Sequence, residues 1–278
     1  MMRVAIIAAG ALALASPAVA QEVDKQPSIF DGDYLSVGVG VGYEPSYIGS
    51  NDYIFYPTGI AQGSFHGIGL VSRTNGVALD FIPNRPGKVG LDLGIAGDVR
   101  LNRTQKAHDP VVDRLGTLDA AIEVGPTIGV TIPHLLSDYD SLSIGTDVLW
   151  DVSNAFGGME MYPHISYQTP LSRGILASVS VSGDYGDDKF ADYYFSITPA
   201  GSVASGLPEF HAKGGFNQLG TTLFVGVDLD GNLANGGFAL FGAASYTRVL
   251  GDAKRSPLTS MRGSADQWFG TLGVGYTF

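Results

Sequence analysis

The chain is 278 residues long, with 27 acidic against 16 basic side chains and a formal charge of −11. That balance argues against a nucleic-acid partner, whose phosphates need Lys and Arg. The absence of cysteine removes disulfides and thiolate metal sites together.

The first residues read as an export signal and not as structure. Arg3 precedes an apolar run from Val4 to Leu14, and Ala18-Val19-Ala20 supplies an A-x-A cleavage site. The run is too short to span about 30 Å of hydrocarbon as a helix, which takes about 20 apolar residues. Residues 1–20 are therefore expected to be cleaved, leaving Gln21 as the new N-terminus and 21–32 as a short periplasmic segment. Past residue 20 every apolar stretch is broken by charge, Pro or Gly before it reaches spanning length. Glycine is abundant at 39 residues, but 13 Tyr, 14 Phe and a hydrophobic share of 45% fit packed strands better than disorder.

Period-2 alternation then dominates. From Tyr34 to Tyr43, Leu35, Val37, Val39 and Val41 alternate with Ser36, Gly38, Gly40 and Gly42. Leu91, Leu93, Ile95, Val99 and Leu101 oppose Asp92, Gly94, Asp98 and Arg100. Leu142, Ile144, Val148 and Trp150 oppose Ser143, Gly145, Asp147 and Asp151. Further on, Val179 and Val181 alternate with Ser178, Ser180, Ser182 and Asp184, and Val225, Val227 and Leu229 with Gly226, Asp228 and Asp230. The chain closes on Leu272, Val274, Tyr276 and Phe278 against Thr271, Gly273, Gly275 and Thr277. Outer-membrane barrels typically end on such an aromatic residue.

These runs are about 10 to 14 residues long, against about 5 to 6 in globular sheets, and that is what a tilted strand needs to cross a bilayer. Mid-strand acids on the polar face suit the wall of a wet lumen, facing inward at Asp92, Asp98, Asp147, Asp151, Asp184 and Asp228, with Arg100 the clear counter-charge. The expected fold is all-β: a monomeric transmembrane antiparallel β-barrel over 33–278 in the outer membrane of a Gram-negative cell, with outer-membrane lipid as its surroundings. Candidate strands lie at 33–43, 53–65, 67–82, 89–101, 116–131, 140–153, 159–169, 173–184, 191–198, 215–229, 237–249 and 266–278. Bacterial single-chain barrels use an even number of strands. Taking 67–82 as one strand with a bulge near Gly76 gives twelve, both termini periplasmic, with ten and fourteen held open. Asn75-Gly76 is nonetheless a strong hairpin dipeptide. In this layout 199–214 and 250–265 are long loops on one side, and 102–115 is a long connection on the short-turn side.

Candidate chemistry is sparse. His66, His108, His134, His164 and His211 form no ligand pattern. His164 and Ser166 share a strand face, as a base and nucleophile would, on a face with Glu160, Tyr162 and Gln168. That face points into the lumen, whereas a lipid hydrolase of the outer membrane opens toward lipid, so a polar ladder is the stronger reading. Asp187-Asp188 and Asp228-x-Asp230-Gly231-Asn232 suggest calcium loops, but the second lacks the closing Glu and reads mainly as a turn. No catalytic, cofactor-binding or metal-ligating residue is assigned. Gly38, Gly40 and Gly42 leave room inside the barrel, which Tyr162, His164, Gln168 and Phe224 are expected to fill.

Three blocks stand out: GYEPSYIGSNDY at 42–53, with Gly49, Asp52 and Tyr53; DYYFSITPAGSVASGLPEF at 192–210; and RVLGDAKRSPLTSMRGSADQWFG at 248–270. Together they resemble the MipA/OmpV family of outer-membrane proteins. The resemblance implies a barrel scaffold without catalytic residues, linked in founding members to holding a murein synthase and a murein-degrading lytic transglycosylase together. Other members are discussed as adhesins or porin-like proteins. The expected function is scaffolding, with a small cation-preferring channel or an adhesin as alternatives and a lipid hydrolase using His164 and Ser166 as a remote one.

Overall fold

The computed structural model describes residues 28–83 and 87–278, and the expected export signal lies outside the described residues. Twelve strands close into one antiparallel barrel in chain order. They are β1 (Tyr34–Pro45), β2 (Tyr53–Phe65), β3 (Ile68–Ser72), β4 (Gly76–Asp80), β5 (Gly90–Arg100) and β6 (Ala121–Pro133). There follow β7 (Ser141–Asp151), β8 (Met159–Ser172), β9 (Ile175–Gly186), β10 (Gly215–Asp228), β11 (Gly237–Val249) and β12 (Asp266–Thr277), which pairs back onto β1 with Val39 opposite Val274. No helix among the described residues is long and apolar enough to cross a membrane; the strands do so, most of them with 11 to 14 residues.

The strand number agrees with expectation through two compensating departures. Residues 67–82 are not one bulged strand but the hairpin β3–β4, in which Arg73 N–H donates to the Gly76 carbonyl at 2.9 Å. The chain reverses at the Thr74-Asn75-Gly76 turn, and the Arg73 guanidinium at its start reaches inward to Asp147 and Thr127. Residues 191–198 are not a strand: 188–195 form helix α2 (Asp188–Phe195). Asp187 caps it by accepting from Phe190 N–H, and Phe190 and Tyr194 stand one turn apart on its buried side. One extra strand early and one fewer later restore the parity. They also move the connection 101–120 to the same end as 187–214 and 250–265, so the three longest connections lie at one end and the termini at the other.

Side chains follow the pleat. Val39, Val41, Leu93, Ile95, Ile144, Leu240 and Val274 point out and are exposed, while Asp80, Asp147, Glu160, Asp184 and Asp228 point in and are buried. Aromatic pairs ring the outer face at both ends, as membrane–water interfaces favour. At the loop end Tyr43 meets Phe55 with centroids 4.8 Å apart and Tyr246 meets Trp268 at 5.0 Å. At the terminal end Phe238 meets Tyr276 at 4.8 Å and Tyr276 meets Phe278 at 4.6 Å. The glycines of β1 do leave room inside, but the rings that use it come from other strands. A Cβ on Gly38 would lie 2.8 Å from Phe241 and 2.9 Å from Ile60, and one on Gly42 would meet Tyr56.

Candidate functional site

The loop end of the barrel is where polar chemistry and packing converge. The connection between β9 and β10 folds into the mouth as α2 and α3 (Pro199–Ser205), capped by Thr198 and closed at Gly206 in the left-handed region with φ 77°. Phe190, Tyr194 and Phe195 pack in one cluster with Ala121 at the start of β6 and Val249 at the end of β11. Those two strands stand on opposite sides of the twelve-strand ring, so the cluster spans the mouth. A second cluster joins Tyr47, Val112, Ile197, Leu207 and Leu258 from four different connections. Burial pushes the Tyr47 hydroxyl up to about 12, keeping it neutral.

Arg100 fastens this plug to the wall. Its Nε donates to Glu123 Oε1 at 3.1 Å, and its Nη2 donates to Glu160 Oε2 at 2.8 Å and to the Tyr162 hydroxyl. Both glutamates are fully buried and Arg100 is nearly so. The guanidinium also lies 5.0 Å from the Phe190 ring centroid and 5.7 Å from that of Tyr194, a cation–π contact in a desolvated setting. One arginine thus joins β5, β6, β8 and α2. Acid remains in excess here, since Glu123 Oε2 and Asp184 Oδ1 are buried with no hydrogen-bond partner among the described residues.

The loops are latched to one another above the plug. Helix α1 (Pro110–Asp113) starts at Asp109, which accepts from Val111 and Val112 N–H. Its other oxygen accepts from Arg262 Nη2 at 2.6 Å and Nε at 2.9 Å, tying the 101–120 connection to the 250–265 connection with its helices α4 (Gly251–Arg255) and α5 (Pro257–Ser260). Burial works to raise the Asp109 carboxyl, but the Arg262 hydrogen bonds and the two backbone donors outweigh it and hold it below the usual carboxylate range.

The inward acids fall as the alternation implies. Asp92, Asp98, Asp147, Asp184 and Asp228 share the lumen face with Arg100, whereas Asp151 turns to the loop and accepts from Phe156 and Gly157 N–H. Arg100 is not the sole counter-charge: Arg73 Nε donates to Asp147 Oδ2 at 2.5 Å. Arg73 reaches this partner from the β3–β4 turn, which a continuous strand over 67–82 would not provide. Glu123, flanked by Ile122 and Val124 in clear alternation, is a further inward acid. The expected inward Tyr162, His164, Gln168 and Phe224 do face the lumen with them. His164 and Ser166, however, are engaged separately. His164 Nδ1 sits 3.2 Å from the Tyr162 carbonyl, and Ser166 Oγ is 3.1 Å from Ser178 Oγ. Both suggested calcium loops are occupied by backbone: Asp187 accepts from Phe190 and Met159 N–H, and Asp228 from Asp230 and Asn232 N–H.

Compared with known families, residues 37–278 match that of the MltA-interacting protein MipA. The chain belongs to that family. No curated protein matches it. Among solved structures it is similar to an outer membrane channel from Pseudomonas putida F1, at 10% identity over 92% of this chain and 100% of that one, with a TM-score of 0.45. It is similar also to outer-membrane expressed OmpT of Vibrio cholerae, at 9% identity over 91% and 100% with a TM-score of 0.34. A third is the outer membrane protein OprD from Pseudomonas aeruginosa, at 10% identity over 91% and 95% with a TM-score of 0.32. By its closed ring of strands and its family match, the protein is an outer-membrane β-barrel of the MipA family.

Proposed function

We propose that this barrel, plugged at its mouth, is a scaffold that holds a murein synthase and a lytic transglycosylase at the inner side of the outer membrane. The observation that carries the reading is the plug: a mouth filled by packed aromatic side chains and bolted by a buried arginine serves rigidity better than flow. The end that carries the termini supplies a docking surface. There the turn 134–140 is fixed by Asp140, which accepts from Leu135, Leu136 and Ser137 N–H and from the Tyr167 hydroxyl. It holds out Leu136 and Tyr139, 80% and 76% exposed. Exposed apolar side chains on a rigid turn suit a protein partner. Affinity capture from detergent-solubilised envelopes tests the proposal: both murein enzymes are expected with the wild type and not with Leu136→Asp/Tyr139→Asp. Capture of neither enzyme by the wild type overturns the scaffold. The acidic lumen favours a second reading, a small cation-preferring channel, for which such a result leaves the field.

A further inference from the structure

The hairpin β3–β4 is far shorter than its neighbours, with five residues in each strand against thirteen in β2 and eleven in β5. Consequently β2 is paired with β3 only from Gly63 to Phe65, although it is paired with β1 along Tyr53–Ser64. Ala61 marks the limit: its N–H and carbonyl both meet the Ser72 hydroxyl at 2.8 Å, so they point toward β3. Backbone groups alternate sides along a strand. Gly59, Pro57 and Phe55 therefore aim their main-chain polar groups the same way, above the hairpin tip, where no strand among the described residues pairs with them.

The frame of this gap is defined on all sides. The β2 edge forms one side, the tip Arg73–Asn75 the bottom and the end of β5 the other side, with Val99 N–H still bound to the Asn75 carbonyl. At the top, Ile48 N–H donates to Asn102 Oδ1 at 2.9 Å. The gap lies within the apolar band, since Gly59 stands directly opposite Val39, which is lipid-facing and 67% exposed. An unpaired sheet edge is not stable against hydrocarbon and persists only where water or protein satisfies it. A partner strand is disfavoured by Pro57, which removes a donor from the middle of the edge, the usual way an edge is blunted.

We infer that the wall has a water-filled lateral opening between β2 and β5, through which small cationic amphiphiles pass between the outer half of the membrane and the lumen. The ligand class follows from the lining. Phe55, Val99 and Leu101 make the outer rim apolar. Inside, Glu44 and Asp98 face the lumen by the alternation of their strands. Arg73 and Arg100 are bound to carboxylates, and Arg103, next to Asn102, has no carboxylate partner among the described residues but is buried beside Tyr47, Tyr193 and Tyr194. With the mouth plugged, the side of the barrel is the route left at the loop end. The opening does not depend on the scaffold reading.

The chain has no cysteine, which makes the test direct. A Cβ at Gly59 meets only the Gly38 carbonyl at 3.4 Å, so Gly59→Cys is sterically tolerated. In lipid vesicles it is expected to react with charged thiosulfonates at least tenfold faster than Val39→Cys at the same depth, and faster with a trimethylammonium reagent than with a sulfonate. Equal protection of the two cysteines overturns the opening; equal rates with the two reagents overturn its cation preference. Hydrogen exchange of the unaltered protein is the second arm: Phe55 and Gly59 amides should exchange well ahead of Tyr56 and Thr58, and uniform protection along β2 sinks the idea.

Discussion

Arg100 of β5 stacks its guanidinium 5.0 Å from the Phe190 ring of α2 while donating to Glu123 and Glu160 in the wall. A buried ion group of this kind adds little over a well-packed apolar substitute, yet breaking it leaves charge uncompensated, at a cost of about 3–5 kcal/mol. Arg100→Met is therefore expected to lower the temperature at which the barrel loses its compact migration in detergent gels. Adding Glu123→Gln and Glu160→Gln should return much of the loss. A single substitution that leaves the transition unmoved would show that the plug is held by its aromatic packing alone.

The latch between Asp109 and Arg262 gives the loops a pH dependence with a definite sign. Burial opposes ionisation of Asp109, but the Arg262 and backbone hydrogen bonds prevail and depress its folded pKa. Its contribution is fully present above the unfolded value of about 3.9 and is lost as pH falls through the lower folded value. Protease cleavage within 101–120 should stay slow from pH 7 to about 4 and accelerate below that. Asp109→Asn should be cleaved readily already at pH 7, with the barrel itself intact.

How far the sequence discloses this architecture can be judged from particular segments. The long alternating strands and the facing of Asp92, Asp98, Asp147 and Asp184 are legible, because a pleat exchanges sides at every residue and lipid tolerates only one side. The Thr74-Asn75-Gly76 reversal is signalled locally, and strand parity argued wrongly against it. Tyr193, Phe195 and Ile197 imitate an alternating strand. The better signal is Asp187 as a cap with Phe190 and Tyr194 four apart. The Arg73–Asp147 bridge and the one-sided pairing of β2 are not legible at all. Both depend on where a hairpin stops relative to strands distant in the chain.

Glycine replacement inside β1 should separate side-chain from backbone crowding. A Cβ at Gly38 approaches Phe241 and Ile60, which are side chains, whereas one at Gly40 approaches the Leu272 carbonyl. Each Ala substitution is expected to cost about 1–3 kcal/mol by overpacking. Pairing Gly38→Ala with Phe241→Leu should recover part of its cost, and the same partner should do nothing for Gly40→Ala. Thermal unfolding in detergent distinguishes the pair; equal rescue would mean that Phe241 does not rest on β1.

The plug also sets what the lumen conducts. Planar bilayers containing the wild type are expected to show little or no steady current, since Phe190, Tyr194 and Phe195 fill the mouth. Phe190→Ser/Tyr194→Ser removes two of those rings and the cation–π contacts to Arg100, and openings should then appear. Twelve strands enclose less than the 16 to 18 of wide porins, so the conductance should be small. Of the inward charges, Arg73 neutralises Asp147, and Arg100 is held by two glutamates. Carboxylates such as Asp80 and Asp184 leave the passage acidic, which favours cations where the wall is close and the dielectric low. In a salt gradient the reversal potential should carry the sign of a modest cation preference. Anion selectivity would mean that releasing the plug frees Arg100 to dominate the constriction, and Arg100→Gln in the same background would then reverse it.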